Sequence, residues 1–102
     1  MAVVAERRVS FHPAALIEAE TARAWYAERS EPAAQLFSRQ IDSALQQIQQ
    51  TPERWLRIRG SVRRYLLRRF PFDIIYTVDE ESIDIIAFAH HRRRPGFWAS
   101  RI

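Results

Sequence analysis

The sequence predicts an α+β fold, a two-layer sandwich of order β-α-α-β-β-β in which an antiparallel sheet packs on a helical hairpin. Two adjacent segments, Ala14 to Arg29 and Ala34 to Ile48, repeat apolar residues at helical spacing with only Ser30-Glu31-Pro32 near their junction. Later, Phe72 to Val78 alternates apolar and polar residues, and Ile83 to His90 is almost continuously apolar, as strands of a half-buried and a fully covered kind should be. The chain has 102 residues, the length of one domain, here residues 1–102.

Each element follows from local chemistry. Arg7-Arg8-Val9-Ser10-Phe11 is short, β-branched and aromatic, and reads as a first strand that stops at His12-Pro13. Pro13 suits the first turn of a helix, where its missing N–H costs nothing; His12 is an indifferent cap. In the first helix Ala15, Ala19, Ala22 and Tyr26 form the apolar stripe, with Leu16 and Trp25 beside it and Glu20, Arg23 and Glu28 opposite. Trp25 and Tyr26 are expected to fill the interface between helix and sheet, where a groove could take a partner segment.

Ser30 can cap a second helix, Glu31 complements its positive end and Pro32 tolerates its first turn. Ala34, Phe37, Ile41, Ala44, Leu45 and Ile48 then hold helical period, while Gln40, Gln46, Gln47, Gln49 and Gln50 lie off the stripe. Thr51-Pro52 ends it, because the residue before proline is driven from the α region. So short a junction makes the two helices an antiparallel hairpin.

Glu53 to Ser61, with Trp55 and Gly60, reads as a loop entering the sheet. Val62 to Phe70 reads as a strand, Pro71 as a turn, and Asp79-Glu80-Glu81-Ser82 as a polar hairpin connection. The tail from Arg92 to Ile102 has no core period and is expected to leave Phe97 and Trp98 on a mobile end.

Composition removes several function classes. There is no cysteine, which excludes disulfides and thiolate chemistry and agrees with a reducing compartment. No apolar run approaches the roughly 20 residues of a membrane span, and Met1 to Glu6 lacks the pattern of an export signal, so a cytoplasmic protein is expected. No cofactor or metal is expected either: His90 and His91 point to opposite faces of a strand, and His12 is distant.

The net charge of +4 conceals an asymmetry. Residues 1–53 hold five arginines against seven acids, and residues 54–102 hold eleven against five. All sixteen basic residues are arginine, which GC-rich codon usage explains. Codon usage does not explain seven arginines between Arg54 and Arg69 with no acid among them. Such a cluster is a solvated face, a dock for an acidic segment, or a phosphate contact.

Three stretches together resemble the RelE/ParE toxin family. Trp25-Tyr26 followed by Phe37, Ile41, Leu45 and Thr51-Pro52 is similar to that family's helical hairpin. Val62 to Tyr76 resembles its R-x-x-x-x-x-F-P-Y-x-I-x-Y strand pair, with Phe72 where tyrosine is common. Ile85 to Trp98 resembles its I-x-A-x-A-H-x-R-R-x-P-x-x-W ending. The resemblance implies a bacterial growth-inhibiting toxin of a type II toxin–antitoxin or plasmid-stabilisation module, held in a hetero-oligomer by a cognate antitoxin. It also implies one of two targets: ParE-like members bind DNA gyrase, whereas RelE-like members cut messenger RNA on the ribosome.

Cleavage without a metal would need charge stabilisation and two proton transfers. The candidates for that chemistry are Arg64, Arg69, His91 and Arg93, with His90 as a further proton carrier. RelE-like members place a tyrosine or histidine near the C-terminal end, where this chain has Trp98, which exchanges no proton at neutral pH. The sequence therefore leans toward the ParE-like branch and inhibition by binding. The expected contact surface for target or antitoxin is Arg63, Arg64, Arg68, Arg69, Arg92, Arg93, Arg94, Phe97 and Trp98, gathered on one exposed face with the helices behind it.

Overall fold

The computed structural model describes residues 7–102; the opening residues 1–6, read above for an export signal, lie outside the described residues. The order of elements is β1 (Arg8–Phe11), α1 (Pro13–Arg29), α2 (Glu31–Gln50), β2 (Leu56–Arg59), β3 (Val62–Leu66), β4 (Phe72–Val78), β5 (Ser82–His90) and a terminal 3-10 turn, Ala99–Arg101. A helical hairpin on one sheet is the arrangement expected from sequence, with one strand added.

Single side chains set the helix ends. His12 caps α1 after all, its Nδ1 accepting the Ala14 N–H at 3.1 Å. Ser30 serves both helices: its N–H closes α1 on the Tyr26 carbonyl at 2.7 Å, and its Oγ accepts the Ala33 N–H of α2 at 3.3 Å. One residue therefore makes the whole reversal. Thr51 ends α2 by returning its hydroxyl to the Gln47 carbonyl at 3.0 Å.

The sheet has the order β1-β5-β4-β3-β2. Its pairs are antiparallel except for β1 beside β5, which is parallel. That parallel edge corrects the purely antiparallel sheet expected. Every connection from β1 to β5 reverses the chain, and the number of reversals is even, so the two strands run alike.

The segment read as a loop contains β2. All four of its residues are exposed and it pairs only with β3, through the turn at Gly60, whose φ of +52° is one that glycine adopts freely. An edge ribbon with no buried face carries no hydrophobic signal, and for that reason it was illegible. In the opposite sense, β3 stops at Leu66 rather than running to Phe70. Leu67 and Phe70 both turn into the core, which breaks strand alternation and leaves Arg68 and Arg69 in the connection to β4.

The main core lies between helices and sheet. Phe37 of α2 meets Tyr26, Phe70 and Phe72 with ring centroids 5.0 to 5.5 Å apart, over Ile74, Tyr76, Ile83 and Ile85, all buried. The Tyr76 hydroxyl donates to the Pro52 carbonyl at 2.5 Å, tying the end of the hairpin to the middle of the sheet.

A second, smaller core occupies the other face. Trp98, only 5% exposed, packs with Val62, Ile75, Ile86, Ala87 and Ala89, and Phe97 covers its edge. The shift of register between β4 and β5 explains how β5 supplies both cores. Ile75 pairs with Ala87 and Tyr76 with Ile85, so Ile86 is an inserted residue that changes which residues face each side.

Candidate functional site

The tail folds over the helix-free face of the sheet. Gly96, at φ +77°, turns the chain so that Phe97 and Trp98 descend onto it. Arg101 then reaches α1, placing its guanidinium on both oxygens of Glu18 at 2.8 Å and on the Ile86 carbonyl at 3.1 Å. Glu18 also accepts the Phe88 N–H at 3.1 Å, where β5 has run past the end of β1. The carboxylate hydrogen bond, foremost, raises the Arg101 pKa from its ordinary value. Trp98 is therefore a core residue and is not available as an exposed contact, contrary to the sequence expectation.

A cavity of about 610 Å³ lies between this tail and the sheet. Arg64 and Asp73 share its floor because they are diagonal neighbours on β3 and β4, Arg64 being directly opposite Ile75. His91 stands at its end, with Nε2 at 2.9 Å from Asp73 Oδ1. Arg64 approaches the other oxygen of Asp73 at 3.8 Å, and its own Nε is buried with no hydrogen-bond partner among the described residues. Arg59, Arg93 and Arg94 line the same space. Asp73 is buried to 8% residual exposure and is the only acid in the lining.

The other predicted residues disperse. Arg63 points to the helix side, where it donates to the carbonyls of Glu53 and Trp55, both at 2.9 Å. Its role is to hold the approach to β2. Arg68 lines another cavity with Gln40, Gln47, Arg54 and Trp55, which Arg64 also borders, and Arg69 lines none of the three cavities described. Arg92 faces α1, and Arg93 lies 3.8 Å over the Phe97 ring and 3.6 Å from Glu18. The guanidinium groups thus do not form one surface. Strand alternation separates Arg63 from Arg64, and the turn carries Arg68 and Arg69 away.

His90 borders both the cavity under the tail and the space along α1. Its ring packs edge-on against Phe72 at 5.0 Å, and its Nδ1 accepts the Arg92 N–H at 3.0 Å. Desolvation, then the nearby charges of Arg92 and His91, lower its pKa from the usual histidine value. Asp73 and Arg59 are the residues that sequence reasoning missed. An acid alternating with apolar residues opposite an arginine strand was the available signal for Asp73; Arg59 was hidden in a segment taken for a loop.

A second feature runs along α1. Ile17, Thr21, Trp25 and Tyr26 face Phe72, Phe88 and His90 across a groove of about 910 Å³, with Arg92 and Arg93 on its rim. Tyr26 is packed against Phe37 and Phe70 as expected, but Trp25 is 51% exposed and Ile17 62%. Apolar side chains left open beside charged ones are characteristic of a protein-binding surface.

Chemically, the cavity on the helix-free face can hold an anion through planar guanidinium forks. His91 is oriented by Asp73, its Nε2 lying 2.9 Å from the carboxylate. The second imidazole in the lining, His90, has its ring packed on Phe72 and its Nδ1 taken by the Arg92 N–H, while Tyr65 and Tyr76 belong to the core under the helices.

The comparisons with known proteins agree with this architecture. Among curated proteins none matches significantly. A solved structure described as the chromosomal ParDE toxin–antitoxin system from P. aeruginosa is similar in fold, with a TM-score of 0.71 at 18% identity, covering 83% of this chain and 96% of that one. The family profile described as the ParE toxin of the type II toxin–antitoxin system, parDE, matches residues 9–95, which is most of the sheet and both helices, and the chain belongs to that family.

Proposed function

We propose that the protein is the toxin of a type II module that arrests growth by binding DNA gyrase, and that an antitoxin silences it by covering the α1 groove. Membership of the ParE family supports the gyrase target. The observation that carries inhibition by binding is the site itself: it offers cationic forks and one oriented imidazole, with Trp98 buried where RelE-like members carry a proton donor. The α1 groove supports the antitoxin reading, since an amphipathic segment could set apolar residues on Ile17 and Trp25 and carboxylates on Arg92 and Arg93. Among the described residues no helix is long and apolar enough to cross a membrane, which suits action in the bacterial cytoplasm on such a target.

The test is a supercoiling assay with purified toxin and gyrase, with and without antitoxin. Inhibition relieved by the antitoxin is the expected result. Untouched supercoiling at large excess, together with growth arrest in cells, would overturn the gyrase target. Codon-positioned messenger cuts that disappear in Arg93→Ala would establish the RelE-like reaction in its place.

A further inference from the structure

Three buried side-chain polar atoms lack a hydrogen-bond partner among the described residues: Gln40 Oε1, Trp55 Nε1 and Arg64 Nε. All three residues line one cavity of about 620 Å³, between α2 and the chain that enters β2. Arg64 also borders the cavity under the tail, but of the three cavities described Gln40 and Trp55 line this one alone. A buried donor or acceptor left unmade is costly, and folded proteins seldom keep several together. The amide and the indole N–H are thus suited to an occupant that both donates and accepts.

The same cavity holds an unused strand edge. Pairing of β2 with β3 ends at Leu56 opposite Arg64, so Tyr65 and Leu66 have β4 on one side and, among the described residues, no strand on the other. Leu67 gives its N–H to the Phe72 carbonyl at 3.0 Å. Backbone groups alternate in direction along a strand, so those of Leu66 turn away from β4 toward the open side. Charge around this edge is of one sign: Arg54, Arg64 and Arg68 line the cavity and no acid does. Arg54 lies 4.8 Å over the Trp55 ring, and neither it nor Arg68 has an ion pair among the described residues. Guanidinium forks match carboxylates, and a free edge matches peptide N–H and C=O, which a phosphodiester chain does not offer.

We propose that this cavity docks an acidic, extended segment of a partner protein. The segment adds to the free end of β3 at Leu66, hydrogen-bonds the Gln40 amide and the Trp55 N–H, and sets carboxylates on Arg54 and Arg68. The site is distinct from the α1 groove. That groove lies beside β5 where β1 has ended, and this cavity beside β3 where β2 has ended, at the opposite edge of the sheet. Given the antitoxin in the α1 groove, on which this part of the proposal rests, the silenced complex keeps the second edge open, and its occupant is a protein other than the antitoxin.

The experiment is fluorescence anisotropy with a labelled ten-residue peptide alternating glutamate and threonine, its lysine counterpart, and the glutamate peptide methylated at alternate backbone nitrogens, which keeps the charge and removes strand pairing. Wild-type protein is compared with Gln40→Ala, Trp55→Phe, Arg68→Gln and, as a control at the other edge, Arg92→Gln, each checked for an unchanged unfolding midpoint. Arg68→Gln should weaken binding by about tenfold, and Gln40→Ala and Trp55→Phe by about fivefold each, as losses of a charged and of a neutral hydrogen bond do. Arg92→Gln should change affinity less than about twofold. Arg68 is exposed, so its variant remains informative should Gln40→Ala or Trp55→Phe fail to fold. Saturating antitoxin should leave peptide affinity unchanged. Toxin alone reports on the cavity and Trp25→Ala on the groove, so a misplaced antitoxin is seen apart from a failed site. Equal binding of the lysine or the methylated peptide, equal losses in all four variants, displacement by the antitoxin, competition by an oligonucleotide of equal charge as strong as by unlabelled peptide, or no binding at all would overturn the proposal.

Discussion

Arg101 closes a two-pronged ion pair on Glu18, both contacts at 2.8 Å, across 83 residues of chain and with each side chain less than 15% exposed. The pair fastens the last turn to the first helix, and through Glu18 it also satisfies the Phe88 N–H on the open edge of β5. Removing either partner would leave a largely buried charge and release the tail that covers the second core.

Glu18→Gln should therefore lower stability by roughly 3 kcal/mol, the low end of the range for breaking a buried pair. Arg101→Met, which removes the charge and keeps volume, should cost as much because the largely buried Glu18 would lose its two-pronged partner. Denaturant unfolding measures both. A double variant less destabilised than the two single losses combined is expected, since the pair acts as a unit.

Trp98→Ala should cost about 3–5 kcal/mol, as deletion of a large buried aromatic does. Were the indole an exposed contact, the same change would fall within about 0.5 kcal/mol. Urea titration with Phe97→Ala alongside tests the assignment, and the half-buried Phe97 should give the smaller loss.

Burial pushes the Tyr76 phenol up to about 12 from the ordinary 10, against a smaller lowering by the Arg63 charge. In the unfolded chain the phenol loses its proton near pH 10, whereas the folded protein retains it to about 12. The stability from this group is thus fully present below pH 10 and is lost as pH rises toward 12. Tyr76→Phe should weaken that part of the alkaline loss seen in wild type. At neutral pH it should destabilise by about 1–3 kcal/mol, because the buried Pro52 carbonyl loses its donor.

Trp25→Ala is expected to leave the core intact, since the ring is half exposed and contacts Tyr26 and Arg29 from outside. Its effect should appear in antitoxin affinity, as a loss of about tenfold or more, typical of an aromatic anchor. Calorimetric titration of toxin with antitoxin measures it, and unchanged affinity would move the antitoxin away from the α1 groove.

Much of the molecule could be read from local pattern alone. Helical spacing from Ala34 to Ile48, the proline and serine punctuation at Ser30 and Thr51, and the alternation from Phe72 to Val78 each express a preference satisfied within a few residues. The aromatic set Phe70, Phe72 and Tyr76 was legible as core for the same reason, and all three are buried. The exposed β2 was not, because nothing in Leu56-Arg57-Ile58-Arg59 marks a buried face.

Sequence by itself determined the helical hairpin, the strands that bury a face and the concentration of arginine in the second half of the chain, because period and capping act over a single turn or pleat. Only the tertiary structure decided which arginines meet. Asp73 finds His91 across 18 residues and Glu18 finds Arg101 across 83, while Arg63 and its neighbour Arg64 are sent to opposite faces. Burial of Trp98 belongs to the same class. A tail without periodicity is ordered by the apolar face it happens to cover, and that face exists only after the strands have paired and the inserted residue at Ile86 has turned part of β5 outward.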